Sequence, residues 1–583
     1  MIRVADYVAD FIYRQGVSDV FMLAGGGSIY LDDGIACHKH LKPVFVRNEA
    51  TAPMMAEAYA RLTQNLGVVY VTTGPGGANA VTGVVEAWVD SAPVLVVSGQ
   101  VQTSQTTHKA NIKNFRTFGT QELNIVKIVD SITKYAAMVD DPNSIRYHLE
   151  KAVYYAKSGR PGPVWLDIPL DVQAATVNEA ELRGYEPKQQ AVNKKGDVGV
   201  HVEDILRLLR SAKRPLIVAG QGIRISKALV EFRKLVEHLG VPVICSRLGQ
   251  DILPFSFSNY FGHGGTQGSR FSGLIMKESD LVLSLGSRLA VPFVGADLDA
   301  FSEKAKVVMV DIDEAELRKP SVPIYLPINA DVKAIIDGLL RRLVGNVSLP
   351  DYADWLRLCQ DYKAKYPLIT TDQEKNPIDL YYFVSRLDAM SGANDIFVND
   401  AGSSYYVSGQ ALKFEKGQRE ITSGAFASMG LAIPLAIGCS RAMRDARVLA
   451  VTGDGSLELN IQELKTMSSY HANVKLFVIN NGGYVSIRNT QSALCGGRYI
   501  GSDQVADDQI LDFQKVAAAF DLPYFVIQKY EEVDDNLSEI LSQEGPAFVE
   551  VVCDNYQKII KPLRETNELH RAPSVDADRN RSL

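Results

Sequence analysis

Gly453-Asp454-Gly455 and Asn480-Asn481 stand 24 residues apart, counted over 456–479. Each follows an apolar run, Val448-Leu449-Ala450-Val451 before the first and Leu476-Phe477-Val478-Ile479 before the second. With a helix expected over Ser456–Met467, the stretch reads as one βαβ unit, which sets both polar turns at the same edge of a parallel sheet. A carboxylate and a carboxamide at one edge suit a single hard cation, because magnesium takes oxygen ligands in an octahedron. Asp454 offers a carboxylate oxygen, Asn481 a carboxamide oxygen and Gly483 a main-chain carbonyl. Two diphosphate oxygens and a water complete the shell. Glycines at 453 and 455 let the backbone approach a phosphate, and the helix N-terminus beside them attracts it. Either turn alone is ordinary turn chemistry; the pair at this spacing, each after a buried strand, is specific.

The elements that position these residues follow from periodicity. Val4, Tyr7, Val8, Phe11 and Ile12 fall on one helical face, so the chain opens with an amphipathic helix. Strands are expected at Asp19–Ala24, Val44–Val46, Val68–Thr72, Pro93–Ser98 and Val164–Pro169, with a tight turn at Gly25-Gly26-Gly27-Ser28 and helices over Ala50–Leu62 and from Gly74 onward. A second α/β pattern has strands at Pro215–Ala219, Val241–Cys245, Leu281–Leu285 and Val307–Val310, then a helix over Asp331–Leu343. A third has strands at Asp395–Val398, Val448–Val451, Leu476–Ile479 and Ala547–Val552. Strands alternating with helices imply α/β architecture: three doubly wound parallel-sheet domains, over 1–175, 198–345 and 376–560, with linkers near 172–200 and 349–375 and an irregular tail over 561–583. A faint repeat relates Val68-Val-Tyr-Val-Thr-Thr-Gly-Pro-Gly to Val448-Leu-Ala-Val-Thr-Gly-Asp-Gly, so the first and third domains are expected to share a fold.

Length and composition bound the reading. A chain of 583 residues accommodates roughly three or four domains. A net charge of −7 speaks against a nucleic-acid partner. The six cysteines are scattered without a C-x-x-C, which suits a reducing compartment and gives no metal or redox motif. No apolar run is long enough to span a membrane and no signal pattern opens the chain, so a cytoplasmic, soluble protein with no membrane partner is expected.

To about residue 560 the chain resembles the thiamine diphosphate-dependent enzymes of the acetohydroxyacid synthase-like family. Gly453-Asp454-Gly455 followed by Asn480-Asn481 resembles that family's diphosphate–magnesium motif. Val46-Arg47-Asn48-Glu49-Ala50 resembles the segment carrying its cofactor-activating glutamate. Thr73-Gly74-Pro75-Gly76, Gly99-Gln100-Val101 and Gly159-Arg160-Pro161-Gly162-Pro163 resemble its first-domain signatures. The resemblance implies pyrimidine-binding, central Rossmann-like and diphosphate-binding domains. It also implies thiamine diphosphate and Mg2+ as cofactors, and a homodimer or homotetramer in which Glu49 and the metal motif meet across subunits. Glu49 alone would read as a solvated residue or a cap; by resemblance it shares a proton with the aminopyrimidine and activates the thiazolium carbon.

Further roles follow from the same resemblance. Gln121 matches a glutamine near the reacting centre. Ser423–Gly430 matches the pyrimidine-holding stretch, where Met429 wedges between the two rings and the Ala427 carbonyl accepts from the amino group. Asp400, Gly402, Ser403 and Ser404 match the loop at the diphosphate end. Gly25, Gly26, Thr73, Gly76, Gly453, Gly455, Ser456 and Tyr484 complete the cofactor-binding set, and Asp454, Asn481 and Gly483 the metal set. His108 reads as a surface residue. The middle domain resembles one that carries FAD, with Gly220-Gln221-Gly222, Gly262-His263-Gly264-Gly265 and Asp311-Ile312-Asp313 at strand ends, so FAD is admitted as a further cofactor.

The chain also departs from that family. Acetohydroxyacid synthases hold a second 2-oxo acid with an arginine and a tryptophan, whose places fall on Pro292 and Thr490. Paired aspartates are replaced by Ala290 and Val291, and an expected lysine by Leu170. Tyr484–Gln491 looks instead like the segment in relatives associated with bacterial surface-polysaccharide biosynthesis. The resulting expectation is decarboxylation of a small 2-oxo acid, pyruvate, and carbon–carbon ligation of its two-carbon fragment to a carbonyl acceptor, a keto-sugar nucleotide being preferred. Arg488 is read two ways, as a cleft residue meeting a nucleotide phosphate or as a surface arginine. The alternatives are a decarboxylase or oxidoreductase without ligation, an acetolactate synthase with a rebuilt pocket, and a non-catalytic binding homologue.

Overall fold

A computed structural model describes residues 1–187, 198–295, 301, 303–320, 322–345, 348–505 and 509–563. Three six-stranded sheets, all parallel, form its frame. The expected tail lies outside the described residues from position 564, and the latter half of the first expected linker lies outside them over 188–197.

With the strands of each sheet numbered in sequence order, the first runs 2-1-3-4-6-5: Lys42–Phe45, Asp19–Met22, Gly67–Val71, Val94–Gln100, Val164–Pro169 and Ala136–Met138. The third sheet has the same order: Arg419–Ile421, Ile396–Asn399, Val448–Gly453, Val474–Asn480, Ala547–Val552 and Tyr524–Ile527. The faint repeat is therefore a repeat of topology. The central sheet runs 3-2-1-4-5-6, through Tyr260–His263, Val243–Cys245, Pro215–Ala219, Leu281–Leu285, Lys306–Asp311 and Leu326–Asn329, which is the Rossmann order. Strands such as Val68–Val71 and Val448–Val451 are unbroken apolar runs because helices cover both faces of a parallel sheet.

The described residues divide into two compact units, one on the first and third sheets and one on the central sheet. In the first unit a single apolar cluster joins the two sheets. Its centre is the helix Thr51–Thr63, buried along most of its length, against the helix Ala432–Ala442. The helices approach closely at Gly438, where a Cβ would lie 2.3 Å from the Met55 carbonyl oxygen. Only glycine admits that approach.

The structure corrects three expectations about elements. The helix expected over Ser456–Met467 is divided: Asp454–Leu457 is α-helical, Glu458–Asn460 is a 3-10 turn and Glu463–Ser469 resumes the helix. The break lets Asn460 donate to the Gly430 carbonyl at 2.9 Å. The linker expected near 349–375 contains the helix Ala353–Lys365, with Trp355, Cys359 and Tyr362 buried in the core of the central unit. Their i, i+4, i+7 spacing was the available signal. The first linker begins as structure too: Leu170–Ala174 is helical, and Thr176–Val177 pairs antiparallel with Ile2–Arg3.

Candidate active site

Apart from Gln121, the expected site residues of the first unit lie at or just beyond the carboxyl ends of parallel strands. Both sheets change direction between their first and third strands, where such folds leave a crevice for ligands. In the third sheet this point lies between Ile396–Asn399 and Val448–Gly453, with the Asp454 turn directly beyond it.

Asp454 is buried, and its carboxylate is oriented by main-chain donors. One oxygen accepts the Gly455 N–H at 2.8 Å; the other accepts the Asn481 N–H at 3.0 Å and the Gly483 N–H at 2.9 Å. Burial raises its pKa while these N–H groups lower it, and burial is the larger cause. Asn481 is also buried, yet its carboxamide has no hydrogen-bond partner among the described residues. A buried, unpartnered carboxamide beside a carboxylate fits a hard cation. Among the described residues no group of three or more His, Cys, Asp or Glu could hold a metal. One carboxylate, one carboxamide and one carbonyl make half an octahedron, so the rest must come from ligand oxygens and water.

The glycines differ in purpose. A Cβ on Gly453 would meet nothing within 4 Å, so that position borders open space. A Cβ on Gly455 would lie 2.4 Å from the Tyr484 ring, so Gly455 makes room for Tyr484. Ser456 is buried in the first turn of the helix that follows.

Arg488 fits neither sequence reading. It is buried, and its guanidinium donates to the carbonyls of Gly482 (2.6 Å), Ser502 (2.5 Å), Asn481 (2.7 Å) and Asn555 (2.8 Å). It is a brace for the Asn481–Gly483 turn. Both terminal nitrogens are engaged, so a bidentate phosphate contact is excluded.

Asp400 is likewise used within the protein. Its carboxylate accepts from the N–H groups of Ala401, Gly430 and Ala432 and from the Thr452 hydroxyl. It ties the Gly402-Ser403-Ser404 loop to the Ser423–Gly430 loop across the two strands. Gly402 has φ of 73° and precedes the helix Ser403–Ala411; Ser404 donates to the Ala401 carbonyl.

The Ser423–Gly430 loop is held from the other sheet. Glu86 accepts from the Ser423 hydroxyl (2.9 Å) and from the Ser428 N–H (2.9 Å) and hydroxyl (2.7 Å), and Asp90 accepts the Gly424 N–H. Ala427 adopts a left-handed backbone, φ 52°, and Met429 is 38% exposed.

In the first sheet, Glu49 is buried. One of its oxygens accepts from Asn79 at 2.9 Å, and the other lies 3.6 Å from where a Cβ on Gly76 would stand. Thr73 donates to Gln100 at 2.7 Å. Gly25 packs on Thr72 too closely for a Cβ, while Gly26 has open space around it. Gln121 is exposed at φ 61°, and its carbonyl occupies the space beside Gly74. His108 is exposed, as expected. Among the described residues no hydrogen bond joins Glu49 to Asp454. A link between their neighbourhoods is Glu463, which sequence reasoning missed: it accepts the N–H groups of Arg47 and Asn48 and the Thr51 hydroxyl. In sequence it is only a first-turn helix acid.

Comparison with known proteins decides the family. The N-terminal TPP binding domain of thiamine pyrophosphate enzymes matches residues 2–128, the central domain 202–339 and the C-terminal TPP binding domain 400–551. The acetolactate synthase large subunit of Lactococcus lactis is 30% identical over 558 residues, 95% of this chain and 93% of that one. The chain belongs to the thiamine pyrophosphate enzymes. Other relatives within this thiamine pyrophosphate enzyme family include the acetolactate synthase isozyme 1 large subunit of Escherichia coli K12, 30% identical over 95% of this chain and 94% of that one. The acetolactate synthase of Mycobacterium bovis is 31% identical over 92% and 85%.

The central sheet of this thiamine pyrophosphate enzyme carries the glycines noted for FAD. Gly220 and Gly222 press on Gly286, where a Cβ at Gly220 would lie 2.1 Å from the Gly286 carbonyl oxygen. That contact accounts for these glycines without a dinucleotide. Pro292 lies in the short helix Val291–Val294, and Thr490 is exposed on the helix Val485–Cys495. Among the described residues no helix is long and apolar enough to cross a membrane.

Proposed function

We propose that the protein uses thiamine diphosphate and Mg2+ to decarboxylate a small 2-oxo acid, pyruvate, and to ligate the two-carbon fragment to a carbonyl acceptor. The observation that carries this reading is the Asp454–Asn481 turn: a main-chain-oriented carboxylate beside a buried, unpartnered carboxamide, in the fold of a thiamine pyrophosphate enzyme. Bound thiamine diphosphate supplies a carbon nucleophile and an electron sink. Asp454, Asn481 and the Gly483 carbonyl would hold the metal, Gly453 would leave room for the diphosphate, and Ser456, with Tyr484 seated over Gly455, would border it. Glu49, with one oxygen fixed by Asn79 and the other without a hydrogen-bond partner among the described residues, would hold a proton toward the aminopyrimidine. Met429 and the Ala427 carbonyl would support the cofactor rings from one loop, Thr73, Gly76 and Gly25-Gly26 would border the pyrimidine, and Gln121 would stand near the reacting carbon. Asp400, Glu86 and Asp90 set the loops.

Three proposed domains, over 1–175, 198–345 and 376–560, would assemble as a homodimer or homotetramer in the cytoplasm. The exposed Met429 is consistent with a partner subunit over it. Pro292 and Thr490 leave a second free 2-oxo acid without a carboxylate clamp, which favours a different acceptor, a keto-sugar nucleotide of the polysaccharide-associated branch. A second reading is acetolactate synthase, favoured by the names of the relatives. FAD is kept for an oxidative variant of the reaction.

The test is an incubation with pyruvate and a panel of acceptors, read by mass spectrometry, for wild type and Glu49→Gln. The variant should bind cofactor and lose nearly all turnover; unimpaired turnover would remove the role of Glu49. Acetolactate as sole product from pyruvate would favour the second reading.

A further inference from the structure

Between Asp90 and Glu122 the chain has no acidic residue over 91–121, although it holds 68 Asp and Glu and a net charge of −7. Within that stretch stand His108, Lys109, Lys113 and Arg116, and every residue over 111–118 is exposed. Among the described residues neither Lys109, Lys113 nor Arg116 has an ion-pair partner. Two aromatic rings, Phe115 and Phe118, are exposed beside them, 5.6 Å apart between centroids.

The loop is built rather than loose. Buried Glu122 accepts the Thr107 N–H (3.0 Å), the Thr107 hydroxyl (2.7 Å) and, with its other oxygen, the Phe118 N–H (3.0 Å). The Gly119 N–H reaches the Gln105 carbonyl at 2.9 Å. The base of the loop is thus closed on one carboxylate, and the residue before that carboxylate is Gln121, set against Gly74. Gly76, two residues on, borders Glu49. Cations without acids in an acidic protein favour an anion of several charges, and exposed rings beside them favour a flat heterocycle.

We infer that the Thr107–Phe118 loop binds a nucleoside diphosphate group, with Lys109, Lys113 and Arg116 on the diphosphate and Phe115 or Phe118 on the base. This rests on the reading above in one respect, that the group arrives as the handle of the carbonyl acceptor; a free nucleotide shares the chemistry.

The test uses holoenzyme saturated with thiamine diphosphate and Mg2+, so that the cofactor site is filled. UDP is titrated by calorimetry into wild type and into Lys109→Ser/Lys113→Ser/Arg116→Ser, whose substitutions are all exposed. Wild type should bind saturably and more weakly as salt rises, and the triple variant at least tenfold more weakly, with carbon dioxide release from pyruvate unchanged. With a UDP-linked 4-keto hexose as acceptor, a raised KM at constant kcat supports the handle. Absent UDP binding, or equal binding by both proteins, overturns the loop assignment even where ligation proceeds. Loop-dependent UDP binding without ligation of the keto hexose supports the nucleotide site and overturns the handle.

Discussion

Glu463 accepts the Asn48 main-chain N–H at 3.1 Å, one residue before Glu49, although 415 positions separate the two in sequence. The same carboxylate oxygen takes the Arg47 N–H and the Thr51 hydroxyl, and the other takes the Thr466 hydroxyl. Burial raises the Glu463 pKa against these donors. Glu463→Ala would leave the half-buried main-chain N–H groups of Arg47 and Asn48 without their acceptor, at roughly 2 kcal/mol, while the Thr51 hydroxyl keeps the Asn48 carbonyl. The variant should unfold at a lower temperature and lose turnover by more than its loss of thiamine diphosphate affinity, read by calorimetry and steady-state kinetics. Turnover intact in a destabilised protein would separate Glu463 from the site.

Arg488 braces four carbonyls, two of them in the Asn481–Gly483 turn. Arg488→Met should cost about 2 kcal/mol or more by stranding the Asn481 and Asn555 carbonyls, since those of Gly482 and Ser502 keep the Gln504 and Tyr484 N–H groups. It should also raise the Mg2+ concentration needed for half-maximal activity, with excess Mg2+ restoring part of kcat. Arg488→Lys, whose ammonium cannot span four acceptors, should fall between.

Gly455→Ala tests the contact with Tyr484. A methyl 2.4 Å from the ring must displace it. Thiamine diphosphate affinity should drop about tenfold, roughly the 1–3 kcal/mol of an overpacked site. Gly455→Ala/Tyr484→Ala should regain part of it, because the obstacle is gone.

Asp167 predicts a pH effect. It is buried, accepts from Ser98 at 2.6 Å and Gln100 at 3.0 Å, and burial pushes its pKa up to about 7. The fold thus favours the protonated acid. Its contribution to stability is complete below the ordinary carboxylate range and is lost as pH rises to about 7. Denaturant unfolding across pH 4–8 should show that loss, on the order of a few kcal/mol, and Asp167→Asn should flatten it. Gln100 also bonds Thr73 and the Leu123 carbonyl, so the network reaches the Gln121 segment. Gln100→Leu should therefore lower kcat more than cofactor affinity.

The sequence alone determined the three parallel sheets, the shared topology of the first and third, and the Asp454–Asn481 turn. These are local matters: apolar runs of strand length, helical periodicity, and glycines and polar residues directly after strands. Tertiary structure decided what long side chains meet. Arg488 reads as a surface or cleft residue until its helix is packed and four carbonyls surround it. Asp400 reads only as a loop residue at the diphosphate end until Gly430, Ala432 and Thr452 meet its carboxylate. Glu463, Glu86 and Asp90 read as helix acids until the other sheet of the unit brings them its loops. The helix Ala353–Lys365 reads as a linker until the central core gives its apolar stripe a partner. In each case the partner lies tens to hundreds of residues away or on another element, and a buried polar group must find it there, because desolvation without a partner costs more than the bond returns.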